Sequence, residues 1–331
     1  MSLSLEQTDP RNVKAHAPTE KNSSAFPEEL VVWQFRDGKK GHESQSDGLL
    51  SALGRQTRIV THQFEAGDCR HSFWAWLLRR FPPGRRLPAP DLIIGAGHRT
   101  HGPVLAARRS CGGRIVLLMR PTLPLSWFDF AVIPEHDAPP ERDRVLSTRG
   151  VLNPIEAASR PDPLKGLILL GGPSRHHDWA DDQIIEQLKP ILAAAPEVGW
   201  TLTNSRRTPE TALSALKSLE CESLTIVPHQ QTASGWVAAR LAECGRVWVS
   251  EDSISMIFEA LTAGAQVGLL RVPAKPEEMR VMAAVEQLKE EGRVAVVADS
   301  KVTPASNPIR LAEADRVADW LLENLHGSSG K

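Results

Sequence analysis

The sequence has few cysteines, and none of the four is paired for chemistry. Cys69, Cys111, Cys221 and Cys244 stand far apart. Without a C-x-x-C spacing there is no cysteine zinc site and no redox dithiol. Small buried thiols in a reducing compartment are expected instead. No apolar run reaches the ~18 residues that would span a bilayer. The first residues have no apolar signal core, and Glu6 and Asp9 do not suit a transit peptide. Neither sign of charge dominates, since the formal net charge is -1 over 331 residues. Nucleic acid is therefore not an expected partner. There is no internal repeat and no low-complexity tract. Tyrosine is absent beside nine tryptophans, and we draw no physical consequence from that.

What is present is a regular alternation. Residues 1–28 are polar and aperiodic and read as a disordered leader. From Glu29 onward, short apolar runs such as "ELVVWQF", "DLIIGAG" and "RIVLLM" alternate with helical patterns such as "ESQSDGLLSALG", which ends at Gly54. Uninterrupted apolar strands between helices indicate parallel sheets covered on both faces. The stretch 135–163 is rich in proline and charge and breaks the rhythm, which then resumes with "KGLILLGG". The expected fold class is α/β, with two Rossmann-like doubly wound domains facing a cleft. Residues 29–155 form the first domain and 156–305 the second. An amphipathic helix and tail over 306–331 fits against either.

In such folds the loops after the strands carry the chemistry. After the first strand comes "RDGKKGHESQ". Gly38 and Gly41 allow a close backbone approach, and His42 at a strand-to-helix junction suits a proton acceptor. Asp37, Lys40 and Gln45 accompany it. "GAGHRTHG" adds His98, Arg99 and His101, and "PEHD" adds Glu135, His136 and Asp137 on the same edge, with Arg120 nearby. Adjacent residues cannot all face one ion, so no metal is expected there.

In the second half, Gly171, Gly172 and Ser174 make a short phosphate-type loop. No G-K-[ST] follows, which excludes a Walker A loop. "TNSRRTPE" supplies Ser205, Arg206 and Arg207, hydroxyls and cations suited to phosphate, with Thr208 as a helix cap. "VSEDSISMIFEAL" places three carboxylates where a strand meets a helix. Ser250 or Asp252 would cap the helix. Glu259, two turns past Asp252, suits the vicinal hydroxyls of a ribose, and Ser253, Ser255 and the first helical amides suit a diphosphate.

Four of these segments, "DGKKGHESQSDGLLSAL", "FDFAVIPEHD", "TNSRRTPE" and "VSEDSISMIFEAL", together resemble a bacterial and plant family named for mitochondrial fission, the elongated-mitochondria family. The resemblance runs from Val31 to Val297. It implies a glycosyltransferase of GT-B type with a nucleotide-sugar cleft. More distantly, the layout is similar to the lipid-linked GlcNAc transferase of peptidoglycan synthesis. There a His-bearing Gly-rich loop follows the first strand, a Gly-Gly-Ser loop opens the second domain, and a Glu on a later helix holds the ribose. His42, the Gly171-Gly172-Pro173-Ser174 loop and Glu259 occupy matching places. Pro173 interrupts the Gly-Gly-Ser order, and "DGKKGH" departs from that enzyme's loop, so a different acceptor is expected.

Two functions follow as expectations. One is an enzyme without a cofactor, moving a sugar from a nucleoside diphosphate sugar to an acceptor hydroxyl, lipid-linked or of lipopolysaccharide type, with His42 as base. No D-x-D motif sits in these loops, which favours metal-free chemistry. The other is a non-catalytic binding or scaffold protein, as plant members acting in mitochondrial division imply. Trp74, Trp76, Leu77 and Phe81 beside arginines in "WAWLLRRFPPGRR" fit either an anionic membrane surface or a core-facing helix with a basic loop. The expected location is cytoplasmic, peripheral on the inner face of a membrane.

Overall fold

The computed structural model describes residues 29–69, 72–219, 221–275, 279–297 and 311–326. The expected leader over 1–28 lies outside the described residues. The first half runs β1 (Glu29–Arg36), α1 (Lys40–Gln56), β2 (Arg58–Glu65), α2 (Ser72–Leu77), β3 (Leu92–Ala96), α3 (His101–Cys111), β4 (Arg114–Leu118), β5 (Phe130–Pro134) and β6 (Val145–Thr148). The second runs β7 (Asp162–Leu170), α4 (Asp181–Ala194), β8 (Gly199–Asn204), α5 (Glu210–Leu216), β9 (Leu224–Ile226), α6 (Trp236–Leu241), β10 (Cys244–Ser250), α7 (Ile254–Ala263), β11 (Gln266–Leu270), α8 (Met279–Glu290) and β12 (Ala295–Val296). A last helix, α9 (Glu313–His326), follows.

Both sheets are parallel throughout, in the orders β2-β1-β3-β4-β5-β6 and β12-β11-β10-β7-β8-β9. The period of two in a strand sorts side chains between layers. Leu92, Ile94 and Ala96 pack on α1, while Ile93 packs on the other face with Trp33, Ile115 and Val104. In the second sheet Leu167 and Leu169 face α7, and Ile168 and Leu170 face α4. Because every strand runs the same way, the loops after the strands collect along one edge of each sheet.

Three expectations shift. β6 falls inside the stretch read as a break, because "VLST" is four residues among prolines and charges, and its pairing with β5 defines it. α1 begins at Lys40 and runs past Gly54, so His42 lies in the first helical turn. The segment after Ser72 is a short helix ending at Leu77, and Phe81 turns into the core. The amphipathic C-terminal helix packs on the first sheet: Val317, Ala318, Leu321 and Leu322 are buried with Leu49, Leu53 and Val116. No described helix is long and apolar enough to cross a membrane.

The chain between the sheets is held from both sides. Asn153 donates from Nδ2 to Thr262 Oγ1 of α7 at 3.0 Å. On its other side, a Cβ at Gly48 of α1 would lie 2.6 Å from the Asn153 carbonyl carbon and oxygen. Gly150, at φ +92°, leaves the room that the Phe258 ring of α7 fills, since a Cβ there would meet ring carbons at 2.2 Å. Two glycines of α1 therefore respond oppositely to the same change. Helix propensity alone favours Ala over Gly by about 1 kcal/mol. Gly54→Ala, with only an ordinary 3.6 Å contact to Ile59, is expected to stabilise. Gly48→Ala is expected to destabilise by roughly 1–3 kcal/mol through overpacking. Urea unfolding of both variants checks this, and a stabilised Gly48→Ala would contradict the close contact.

Candidate functional site

The first cluster forms where β1 and β3 end. Asp37 follows β1 with its side chain fully buried, and its Oδ2 lies 2.9 Å from His42 Nδ1. Asp37 Oδ1 accepts the Lys39 amide at 3.1 Å. An ionised Asp37 only accepts, so Nδ1 carries the hydrogen and Nε2 keeps its lone pair. The His42 side chain is 17% exposed, enough to meet a ligand. Gly97, after β3, stands at φ +83°, and a Cβ there would lie 2.3 Å from His42 Nδ1 and 3.0 Å from Asp37 Oδ2. Only glycine lets the strand end come that close to the pair. Gly38, at φ +80°, makes the turn itself, whereas Gly41 is an ordinary helical position.

Asp37, Gly38, Glu65, Ser72 and Arg99 line a cavity of about 450 Å³ beside this pair. Lys40, His98 and Arg99 are exposed. Gln45 is buried, and its Nε2 donates back to the Gly41 carbonyl at 3.4 Å, which serves the helix. His101 is buried near Thr122 Oγ1, and burial and then the neighbouring His98 push its pKa down. His136 and Glu135 lie apart from the pair. They line a narrow crevice against Phe258 and Gln287, where the two halves meet. Arg120 donates to the Asp137 carbonyl.

The second cluster forms where β7, β8 and β10 end. The Gly171 amide donates to Ser250 Oγ at 2.7 Å and the Gly172 amide to Asp252 Oδ2 at 3.0 Å. Ser205 and Thr208 both donate their hydroxyls to the Gly171 carbonyl. Arg207 donates to the Gly172 carbonyl and, at 2.7 Å, to Asp252 Oδ2. Ser174 Oγ accepts the His176 and His177 amides. The loop read as a phosphate cradle is thus fastened by its own amides, and Ser174, Ser205 and Arg207 do the fastening. Arg206 is exposed, with no partner among the described residues. Thr208 is not the cap: α5 starts one residue later, behind Pro209.

The three carboxylates separate into three roles. Glu251 pairs with Lys289 of α8 at 2.7 Å. Asp252, fully buried at its side chain, turns back to Gly172 and Arg207 and caps nothing. The residue before α7 is Ser253, without a side-chain cap, so Asp252 precedes the helix and shares no helical face with Glu259. Glu259 has no hydrogen-bond or ion-pair partner among the described residues, and burial pushes its pKa up to about 7. Ser253 is buried and Ser255 exposed at the first turn of α7, where helical amides have no intrahelical acceptor.

A sequence model for the mitochondrial fission ELM1 family matches residues 40–325. The chain belongs to that family. An uncharacterized protein of Rickettsia prowazekii is 22% identical over 83% of this chain and 92% of its own length. Among solved structures, the UDP-GlcNAc 2-epimerase of Neisseria meningitidis bound to UDP-GlcNAc aligns with TM-score 0.52 at 11% identity, covering 89% of this chain and all of that one. UGT2 of Phytolacca americana, complexed with UDP-2-fluoro-glucose and pterostilbene, aligns with TM-score 0.50 at 9% identity, covering 90% and 91%. These likenesses show the fold, which is of the GT-B kind.

In this ELM1-family chain the close approach of Gly97 and the fastening role of Asp252 emerge only from the structure. Gly97 was signalled by "GAG" directly after a strand. Nothing in "SEDS" distinguished which acid turns inward. Glu259 yields a test. A carboxyl whose folded pKa is raised binds its proton more tightly when folded, so its stabilising contribution is full below its ordinary 4.5 and is lost as pH rises through 7. Relative to Glu259→Gln, the wild type should lose about 3 kcal/mol between pH 4.5 and pH 8. Thermal melts at both pH values check this, and a pH-independent difference would show that Glu259 is not desolvated.

Proposed function

We propose that this chain is a glycosyltransferase that moves a sugar from a nucleoside diphosphate sugar to an acceptor hydroxyl. The observation that carries the reading is the Asp37–His42 pair, 2.9 Å apart beside a cavity of about 450 Å³. His42 Nε2 takes the acceptor's proton as its oxygen bonds to the anomeric carbon. The bond from that carbon to the diphosphate oxygen breaks, and the nucleoside diphosphate leaves. Asp37 orients the ring and balances the imidazolium that forms.

The donor belongs to the second half. Glu259, partly buried and without a partner among the described residues, accepts the two ribose hydroxyls. The first amides of α7, with Ser253 and Ser255, receive the diphosphate. Arg206 supplies a cation there, and Arg207, exposed while paired with Asp252, adds positive charge beside it. Two fold relatives are described with UDP-sugars, which makes uridine the first base to try. Chemistry at a membrane surface, reached through the exposed apolar residues of α2, is part of the same proposal.

The alternative is a scaffold that keeps the shell without turnover. His42→Ala separates the two. Removing a general base costs about 10²- to 10⁴-fold in rate, while donor binding in the ground state stays nearly unchanged. The measurements are transfer of labelled sugar and calorimetric donor affinity, wild type beside variant. Slow transfer with unchanged affinity is the expected result. Equal transfer rates would remove His42 as base, and donor binding without transfer from either protein would favour the scaffold.

A further inference from the structure

Charge is unevenly spread along this chain. Residues 69–128 contain ten arginines, no lysine and a single acid, Asp91, although the whole chain carries a net -1. Asp91 lies at the start of β3, where its Oδ2 accepts the Val31 amide, at the end of the sheet away from the site loops. The same stretch holds an unusual exposure of apolar side chains. Phe73 and Leu78 are 64% and 63% exposed, and Trp74, Trp76, Leu77 and Trp127 join them. Among the described residues Leu164 is the one other large apolar side chain this exposed.

These side chains do not form a flat patch. Phe73 and Trp76 of α2, Leu105 of α3, and Leu123 and Trp127 wall a groove of about 530 Å³. That falls within the roughly 300–1,000 Å³ of small-ligand sites. Its lining is almost wholly apolar, with Arg108 at its edge. Arg109 stacks over the Trp76 ring at 4.4 Å, placing a cation at the rim. Arg79 and Arg80 follow α2 and are exposed. Ser72 lines both this groove and the cavity that contains Asp37 and Arg99. The apolar groove and the site of the His42 pair therefore adjoin.

We propose that this groove holds the hydrocarbon chain of a phosphate-headed membrane lipid, with its polar end carried toward the cavity lined by Asp37 and Arg99. Apolar walls alone fit any greasy partner. The surrounding arginines select an anionic one, and the exposed face of α2 supplies the means of reaching it from a bilayer surface. The inference deepens the transferase reading by assigning the acceptor to the class of anionic lipids. It rests on that reading only for what happens to the polar end.

The test uses the full chain and two probes. Sedimentation with vesicles is expected to pull the protein down with dioleoylphosphatidylglycerol and to leave it in solution with dioleoylphosphatidylcholine. Monomeric dihexanoylphosphatidylglycerol, titrated by calorimetry, is expected to bind saturably at one site. Trp76→Ala with Trp127→Ala removes two exposed walls of the groove and should weaken that binding at least about ten-fold, from the aromatic area lost. Arg79→Glu with Arg80→Glu should abolish vesicle binding while leaving the monomeric lipid bound. Absence of saturable lipid binding, or equal affinity in the tryptophan variant, overturns the groove. Equal sedimentation with both vesicles overturns the selection for anionic lipid. Failure of the wild-type chain to sediment with either vesicle overturns the inference too. UDP-sugar affinity is measured alongside. Lipid binding without nucleotide binding would count against the transferase reading alone, and the reverse against the groove alone.

Discussion

The buried carboxylate of Asp252 is the constraint on which the second half of the site depends. It receives the Gly172 amide and the Arg207 guanidinium, and so ties the ends of β7, β8 and β10 into one surface. Gly171 must be glycine for this to happen, since a Cβ there would lie 2.0 Å from Asp252 Oδ2. A buried carboxylate needs pairing and hydrogen bonds, and Asp252 finds both at Oδ2, while its buried Oδ1 has no hydrogen-bond partner among the described residues. With the loop so fastened, Arg206, Glu259 and the first turn of α7 are the polar groups of this cluster that the fold leaves uncommitted among the described residues. The Gly171 and Gly172 amides, by contrast, are already taken by Ser250 and Asp252.

The first half repeats the logic with a different pair. Asp37 is buried and His42 partly open, so the acid serves the base and the base can serve a ligand. Gly97 presses against both from the neighbouring strand end. The two halves are coupled through the chain between them, where Asn153 lies against Gly48 of α1 and bonds Thr262 of α7, and Gly150 accepts the Phe258 ring. These contacts join α7 to α1, the helix that carries His42.

Much of this was legible in the chain. Unbroken apolar runs such as Leu92–Ala96 and Leu167–Leu170 can only be strands buried on both faces, so two parallel sheets followed directly. His42, Glu259 and the arginines of "NSRRT" stood out because they follow such strands. What escaped depends on side-chain direction, which spacing does not encode. Glu251, Asp252 and Glu259 read alike as letters, yet one pairs with Lys289, one turns inward, and one is left without a partner among the described residues. β6 was hidden because four residues among prolines have no periodicity to read. The groove under α2 was hidden because its walls come from three separate segments.

The central claim is that Glu259 receives the ribose of a nucleoside diphosphate sugar, and proton release measures it most directly. Burial pushes the pKa of this carboxyl up to about 7, so a substantial part of it holds its proton at neutral pH. Hydrogen bonds from two ribose hydroxyls favour the charged form and drive the proton off. A UDP-sugar has no ionisation of its own in this range. Calorimetric titration with UDP-N-acetylglucosamine at pH 7, in buffers of different ionisation enthalpy, should show proton release on binding, and none in Glu259→Gln. Binding with no buffer dependence, or with the same release in both proteins, would contradict the account.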